Sequence, residues 1–283
     1  MAELLRGKPV ADKIREEIAQ SVSIYKAKGI EPKAAIVRVG NKPDDIAYER
    51  HVVSDCEKLG IATEKIYATF DISTEELMEI VERLNSDESI HGILIFRPLP
   101  AHIDYNSVCR AIKPEKDIDC MNPLNLEKLF IGDRTGIAPC TPEAVIELLK
   151  FYGYELRGKN VTVVNRSLVI GKPLAMLLLN EDATVTVCHS KTTELYKKTS
   201  SADIFISGIG TPRYFGAEYV SEKTTVVDVG INFENGKMYG DMNFEEVSAV
   251  AKAVTPVPGG VGSVTSMLLI KHIIKAVKLI TGE

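Results

Sequence analysis

The chain has 283 residues, of which 45% are hydrophobic and 26% charged, a balance that fits a globular protein and excludes a disordered one. Its net charge of −5 leaves no basic footprint for nucleic acid and no polybasic block for an anionic membrane. No apolar run reaches the roughly 18–20 residues that span a bilayer, the first seven residues lack a signal-peptide pattern, and Cys56, Cys109, Cys120, Cys140 and Cys188 are scattered without a C-x-x-C pair. A disulfide framework and a metal site are therefore not expected, and a reducing cytoplasm is.

Along the chain, β-branched runs alternate with stretches of helical period. A helix is predicted over residues 10–28, a strand over 34–39, helices over 46–59 and 74–85, and a strand over 92–96. Ser73 with Glu76 forms a capping-box pattern. A helix over 142–151 follows, with Thr141 as expected N-cap and Pro142 at the first helical position. Strands at 160–164, 184–188, 204–207 and 225–229 then alternate with helices at 173–180 and 244–249, and a last helix covers 266–280. Such alternation implies a mainly parallel sheet covered on both faces, an α/β fold. The boundary between two domains falls in the segment Ile137-Ala138-Pro139-Cys140-Thr141-Pro142.

The strand at 160–164 runs into Asn165-Arg166-Ser167-Leu168-Val169-Ile170-Gly171-Lys172-Pro173 and then a helix. This is a strand–turn–helix unit that departs from G-x-G-x-x-G. Asn165 takes the first glycine position, where a left-handed backbone is expected, and Gly171 permits close approach to a helix start that favours phosphate. The end of the next strand reads Cys188-His189-Ser190-Lys191-Thr192, with no acid for ribose hydroxyls. With Arg166 beside it, this edge suits a 2′-phosphate, so NADP is expected and NAD is the alternative. Asp228-Val229-Gly230-Ile231-Asn232 and the run from Thr255 to Gly262 lie at further carboxyl strand ends, and the glycines of the second suggest backbone against a ligand.

Taken with Val39-Gly40, Tyr48, Gly60-Ile61, Pro98-Leu99-Pro100, Lys116-Asp117-Ile118-Asp119, Pro139-Cys140-Thr141-Pro142 and Gly171-Lys172-Pro173, these motifs resemble, in order and over nearly the whole chain, the methylenetetrahydrofolate dehydrogenase/cyclohydrolase family. The resemblance implies a folate-binding α/β catalytic domain (1–140 with 265–283), a Rossmann dinucleotide-binding domain (141–264), a cleft between them and a homodimer. It implies Tyr48 and Asp119 as catalytic and substrate-binding residues, with Pro258 and Gly259 also facing substrate. Thr141, Asn165, Arg166, Ser167, Ser190, Ile231, Gly260, Gly262 and Thr265 are the implied cofactor residues. Asp119 would take the amino-pyrimidine edge of the pterin, since a carboxylate accepts two parallel N–H bonds.

Two catalytic positions depart from the family together. Its lysine, one helical turn after the tyrosine, is Val52 here, and the glutamine that supports that lysine is Phe96. The family's Asp-Gly is Asp119-Cys120, which is expected to alter the local loop. Hydride transfer needs alignment rather than a base, whereas water attack on the methenyl product needs one. The expectation is an NADP-dependent methylenetetrahydrofolate dehydrogenase with weak or absent cyclohydrolase activity. The alternatives are an ordinary bifunctional enzyme with a substitute base, a non-catalytic folate- or nucleotide-binding paralogue, and a dehydrogenase for another substrate. His51 points about 100° away from Val52 around the helix, and Arg97 stays protonated and makes a poor base.

Overall fold

The structure, a computed structural model, describes residues 2–282. In chain order the elements are β1 (Glu3–Leu4), α1 (Gly7–Ala27), β2 (Lys33–Val39), α2 (Pro43–Lys58), β3 (Ala62–Ala68), α3 (Thr74–Ser86), β4 (Gly92–Ile95), α4 (Tyr105–Ala111) and α5 (Pro123–Phe130). There follow α6 (Cys140–Phe151), β5 (Asn160–Val164), α7 (Gly171–Asn180), β6 (Thr184–Cys188), α8 (Leu195–Ser200), β7 (Ile204–Ser207) and β8 (Thr225–Asp228). The hairpin β9 (Asn232–Glu234) and β10 (Lys237–Tyr239), then α9 (Phe244–Val250), β11 (Ala253–Val254) and α10 (Val261–Thr281) complete the chain.

Two compact units result. One joins Lys13–Ala138 to the stretch from Ser266 onward, and its parallel sheet has the order β3-β2-β4. The central strand β2 and β4 are almost wholly buried, which is why they read as continuous apolar runs rather than alternating ones. Ala35, Val37, Ile93 and Ile95 pack with Leu77, Val81 and Leu84 of α3 and Val108 of α4. The expected capping box is present: Ser73 Oγ accepts from Glu76 N, and Glu76 accepts from Ser73 N. From α10, His272 Nδ1 lies 2.9 Å from the Ile118 carbonyl and Lys271 pairs with Glu17 at 2.8 Å.

The other unit joins the stretch up to Asp12 to Pro139–Thr265. Its six strands are all parallel, in the order β1-β11-β8-β7-β5-β6. The chain leaves β5 for β6 on one side and returns to β7 on the other, so β5 is the topological switch point, beyond whose carboxyl end open α/β sheets bind their ligands. Phe205, Phe215, Val226, Met242 and Val254 form a core on this sheet.

The structure differs from the sequence reading at several boundaries. The first residues group with the six-stranded unit, because Glu3 and Leu4 pair in register with Ala253 and Val254. Helix α6 starts at Cys140 with Pro139 as its N-cap, so Thr141 lies inside the first turn and does not cap it. Helix α2 starts at Pro43 rather than 46, placing Tyr48 in its second turn. Helix α10 starts five residues before the expected 266, at Val261. None of the described helices is long and apolar enough to cross a membrane. Among the described residues no cluster of three His, Cys, Asp or Glu side chains is placed to hold a metal ion.

Candidate functional site

In the three-stranded unit, a wall forms beyond the carboxyl ends of β2 and β4. Helix α2 is held to β2 by a buried ion pair, Arg38 Nε to Glu49 Oε2 at 2.9 Å. Tyr67 closes this pair: its hydroxyl donates to Glu49 Oε1 at 2.9 Å, and its ring lies 4.7 Å from the Arg38 guanidinium carbon. Arg38 Nη1 also donates to the Gly40 carbonyl and to Asn41 Oδ1, fixing the turn into α2. Glu49 directly follows Tyr48, so these contacts set the azimuth of the helix face that carries Tyr48, Val52 and Cys56 at four-residue spacing.

Tyr48 is 40% exposed and its ring centroid lies 5.5 Å from that of Phe96. Val52 and Phe96 are 4% and 7% exposed. Phe96 N donates to the Val37 carbonyl at 3.0 Å, extending the pairing of β4 with β2 by one residue. Val52, one helical turn after Tyr48, and Phe96, beside its ring, are thus both buried hydrocarbon. His51 is turned elsewhere, its Nε2 3.4 Å from Asp55 Oδ2 with most of the ring in solvent. Burial pushes the Cys56 thiol up to about 12.

The segment carrying Asp119 is anchored beneath. Asp117 bridges in parallel to Ile93 and accepts from Met121 N at 2.9 Å, Asn122 N at 2.7 Å and Asn125 Nδ2 at 3.0 Å. Burial raises the Asp117 pKa against the pull of these donors. Lys116 Nζ donates to the carbonyls of Leu84, Asn85 and Asp87 at 2.8–3.1 Å. Cys120 adopts φ +55°, a left-handed conformation for which glycine is better suited. Asp119 emerges half-buried and forms an ion pair with Arg97 Nη2. Burial works against the Arg97 charge, but Asp119 and Tyr105 outweigh it and its pKa rises. The contact between Arg97 and Asp119 was not foreseen: 22 residues separate them, and only the Ile93–Asp117 bridge reveals the meeting.

In the six-stranded unit, the loop after β5 is organised by one side chain. Asn165 Oδ1 accepts from Ser167 N at 2.7 Å and Gly171 N at 3.0 Å, and its Nδ2 donates to the Gly208 carbonyl. Asn165 is not left-handed, contrary to the sequence reading; its amide group, not its backbone tolerance, suits it to the site. A Cβ on Gly171 would lie 2.0 Å from the Asn165 carbonyl oxygen, so only glycine permits this tight entry into α7. Val164 and Cys188 are register partners, and Arg166 and Ser190 each lie two residues beyond, exposed at neighbouring strand ends.

Two buried carboxylates hold the remaining loops. Asp228 accepts from Gly230 N, Asp241 N and Met242 N at 2.9–3.0 Å, and burial pushes its carboxyl up to about 7. Asp241 accepts from Ser207 Oγ, Ile209 N, Thr211 N and Asn232 Nδ2. Ile231 stays 55% exposed above them, near Gly262. In the run after Thr255, Gly259 takes φ +98° and a Cβ on Gly260 would lie 2.5 Å from the Pro256 carbonyl oxygen, while Gly7 N donates to the Gly259 carbonyl at 2.8 Å. Pro258 and Gly259 are exposed, Gly260 is buried, and Gly262 and Thr265 sit in the first turns of α10. Thr141 is half-buried in α6.

Fold and site define a two-unit α/β protein with a dinucleotide-type crevice in one unit and a mixed acidic and aromatic wall in the other. Residues 5–119 match the model of the tetrahydrofolate dehydrogenase/cyclohydrolase catalytic domain, and residues 139–281 match that of its NAD(P)-binding domain. Bifunctional protein FolD from Clostridium botulinum (strain Langeland) is 51% identical over 277 residues, covering 98% of each chain. The crystal structure of the bifunctional FolD from Campylobacter jejuni superposes with a TM-score of 0.95 at 40% identity, covering 98% of this chain and 99% of that one. The Trypanosoma brucei methylenetetrahydrofolate dehydrogenase-cyclohydrolase, crystallised with NADP and an inhibitor, gives a TM-score of 0.91 at 36% identity, covering 98% and 97%. The chain belongs to the tetrahydrofolate dehydrogenase/cyclohydrolase family.

Proposed function

We propose that this protein is an NADP-dependent methylenetetrahydrofolate dehydrogenase whose cyclohydrolase activity is weak or absent. The relatives named above are bifunctional by name, and one is a complex with NADP. They support the dehydrogenase and its cofactor. The observation that supports the loss of hydrolysis is that Val52, one turn after Tyr48, and Phe96, beside its ring, are both buried hydrocarbon.

The residues after β5 and β6 fit the cofactor. Asn165 turns the chain tightly into α7, whose positive end favours a phosphate although its first amides already donate within the chain, Gly171 N to Asn165 Oδ1 and Lys172 N to the Ser167 carbonyl. Arg166 and Ser190, level with one another on adjacent strands, supply a cation and a hydroxyl for a 2′-phosphate. When bound, NADP supplies the hydride acceptor. The folate nitrogens stabilise the cation left on the one-carbon unit, so the protein has only to hold the pterin, and Asp119 and Tyr48 do this. Hydrolysis of that cation requires a proton to leave water, and neither Val52 nor Phe96 has an atom to take it. Arg97 is engaged with Asp119, and His51 with Asp55.

The test follows cofactor reduction and methenyltetrahydrofolate absorbance together after methylenetetrahydrofolate is added. The expected result is stoichiometric accumulation of methenyltetrahydrofolate; reduction without accumulation would show a working hydrolase. A homodimer and a cytoplasmic location belong to the same reading, and light scattering of the purified protein checks the first.

A further inference from the structure

The fold brings Arg97 to the flank of Asp119. Arg97 is the second residue past β4, and the parallel bridge between Ile93 and Asp117 puts Asp119 level with Ile95, the last residue of that strand, so the long Arg97 side chain has two residues of offset to cover. Arg97 Nη2 donates to Asp119 Oδ2, and Nη1 lies 3.5 Å from the Tyr105 hydroxyl. The side chains are 26% and 22% exposed, so each is largely withdrawn from water yet still reachable. Arginine carries five N–H donors in one rigid plane, and a carboxylate has about four lone-pair sites. Their pairing therefore leaves donors of Arg97 and acceptors of Asp119 side by side.

We propose that Arg97 is a specificity-determining residue that donates to the 4-oxo group of the pterin next to Asp119; this rests on the reading that Asp119 receives the pterin. The 2-amino-4-oxopyrimidine edge presents, in order, a carbonyl acceptor, a ring N–H donor and an amino donor. Asp119 accepts from the two donors, and Arg97 on its flank donates to the carbonyl. A 4-amino pteridine places a second donor group against the guanidinium. Two donors face each other, and neither is satisfied. A site built on a polar group discriminates strongly against a ligand that leaves the group unmatched. A merely structural Arg97 would steady Asp119 but would not distinguish position 4.

The test is calorimetric titration of the full chain, with NADP present, using tetrahydrofolate and its 2,4-diamino counterpart. The wild type should bind the 4-oxo form about tenfold or more tightly, as expected for a charge-assisted hydrogen bond gained by one ligand and lost by the other. Arg97→Met should reduce that ratio by about the same factor. Asp119→Asn should weaken the 4-oxo ligand. If Asp119→Asn leaves that affinity unchanged, the pterin reading itself fails, and the role of Arg97 with it. If Asp119 matters but Arg97→Met leaves the ratio intact, or tightens both ligands, Arg97 is a competitor for Asp119 and the inference is overturned. Equal affinities in the wild type overturn it without any variant, so misfolding of Arg97→Met cannot shield it.

Discussion

The two units stabilise their ligand-facing ends by different chemistry. In the six-stranded unit, Asn165, Asp228 and Asp241 each collect two or more N–H donors, mostly from backbone, and fix the shape of the loops. In the three-stranded unit, Asp117 and Lys116 anchor the loop around Asp119 through backbone groups, but the wall itself is set by side chains on side chains: Arg38 on Glu49, Arg97 on Asp119 and Tyr48 on Phe96. A loop whose amides are gathered by one side chain keeps a fixed backbone shape, which suits the unvarying phosphates of a dinucleotide. A wall made of side chains is redesigned by substitution. The proposed loss of a base at positions 52 and 96 falls in the second of these units and not among the loops of the first.

The largest effect is expected at the wall. Val52→Lys with Phe96→Gln should raise methenyl hydrolysis by about 10²–10⁴-fold, the usual value of a general base, while NADP affinity stays unchanged. No gain in a folded double variant would mean that the wall lacks more than these two groups. Arg38→Met strands a Glu49 carboxylate that is nearly inaccessible, and should cost about 3–5 kcal/mol in urea unfolding. Arg38→Met with Glu49→Leu should recover most of that, and failure to recover would show that packing, not charge, is at stake. In the other unit, Arg166→Ala should lower the NADP-over-NAD preference by roughly fivefold, about 1 kcal/mol for an exposed charge, and unchanged kinetics with both cofactors would remove the 2′-phosphate assignment. The smallest expected effect is none at all: Cys56, one turn beyond Val52, has its thiol held near 12 by burial, so it stays protonated and should resist maleimide at pH 8. Labelling of Cys56 in the native protein would mean that this face of α2 opens to solvent.

How far the sequence revealed this depended on the kind of interaction. Buried parallel strands announce themselves as β-branched runs, and β5, β6 and β7 lie where the sequence placed them. Strands β1 and β11, two residues each, carry no periodicity and exist because they pair with one another and with β8. The edge strand β3, Ala-Thr-Glu-Lys-Ile-Tyr-Ala, is half polar and was invisible as an apolar run. Asn165 stands at the first glycine position of the pattern, yet its backbone is not left-handed and it is the side chain that makes the turn. The Arg38–Glu49 and Arg97–Asp119 pairs join a strand to a helix and a strand end to a loop, so no spacing rule reaches them. Val52 and Phe96 stood out only against a family pattern; taken alone they are two more buried apolar residues.

The central claim is that this wall supports hydride transfer and not hydrolysis. Its most direct test supplies methenyltetrahydrofolate to the wild-type protein, without cofactor, and follows its decay beside a protein-free control in the same buffer. The account predicts decay at the spontaneous rate, from a sample that reduces NADP readily with methylenetetrahydrofolate. Decay that is faster than the control and proportional to protein concentration would contradict it, and would place a working base beside Tyr48 despite Val52 and Phe96.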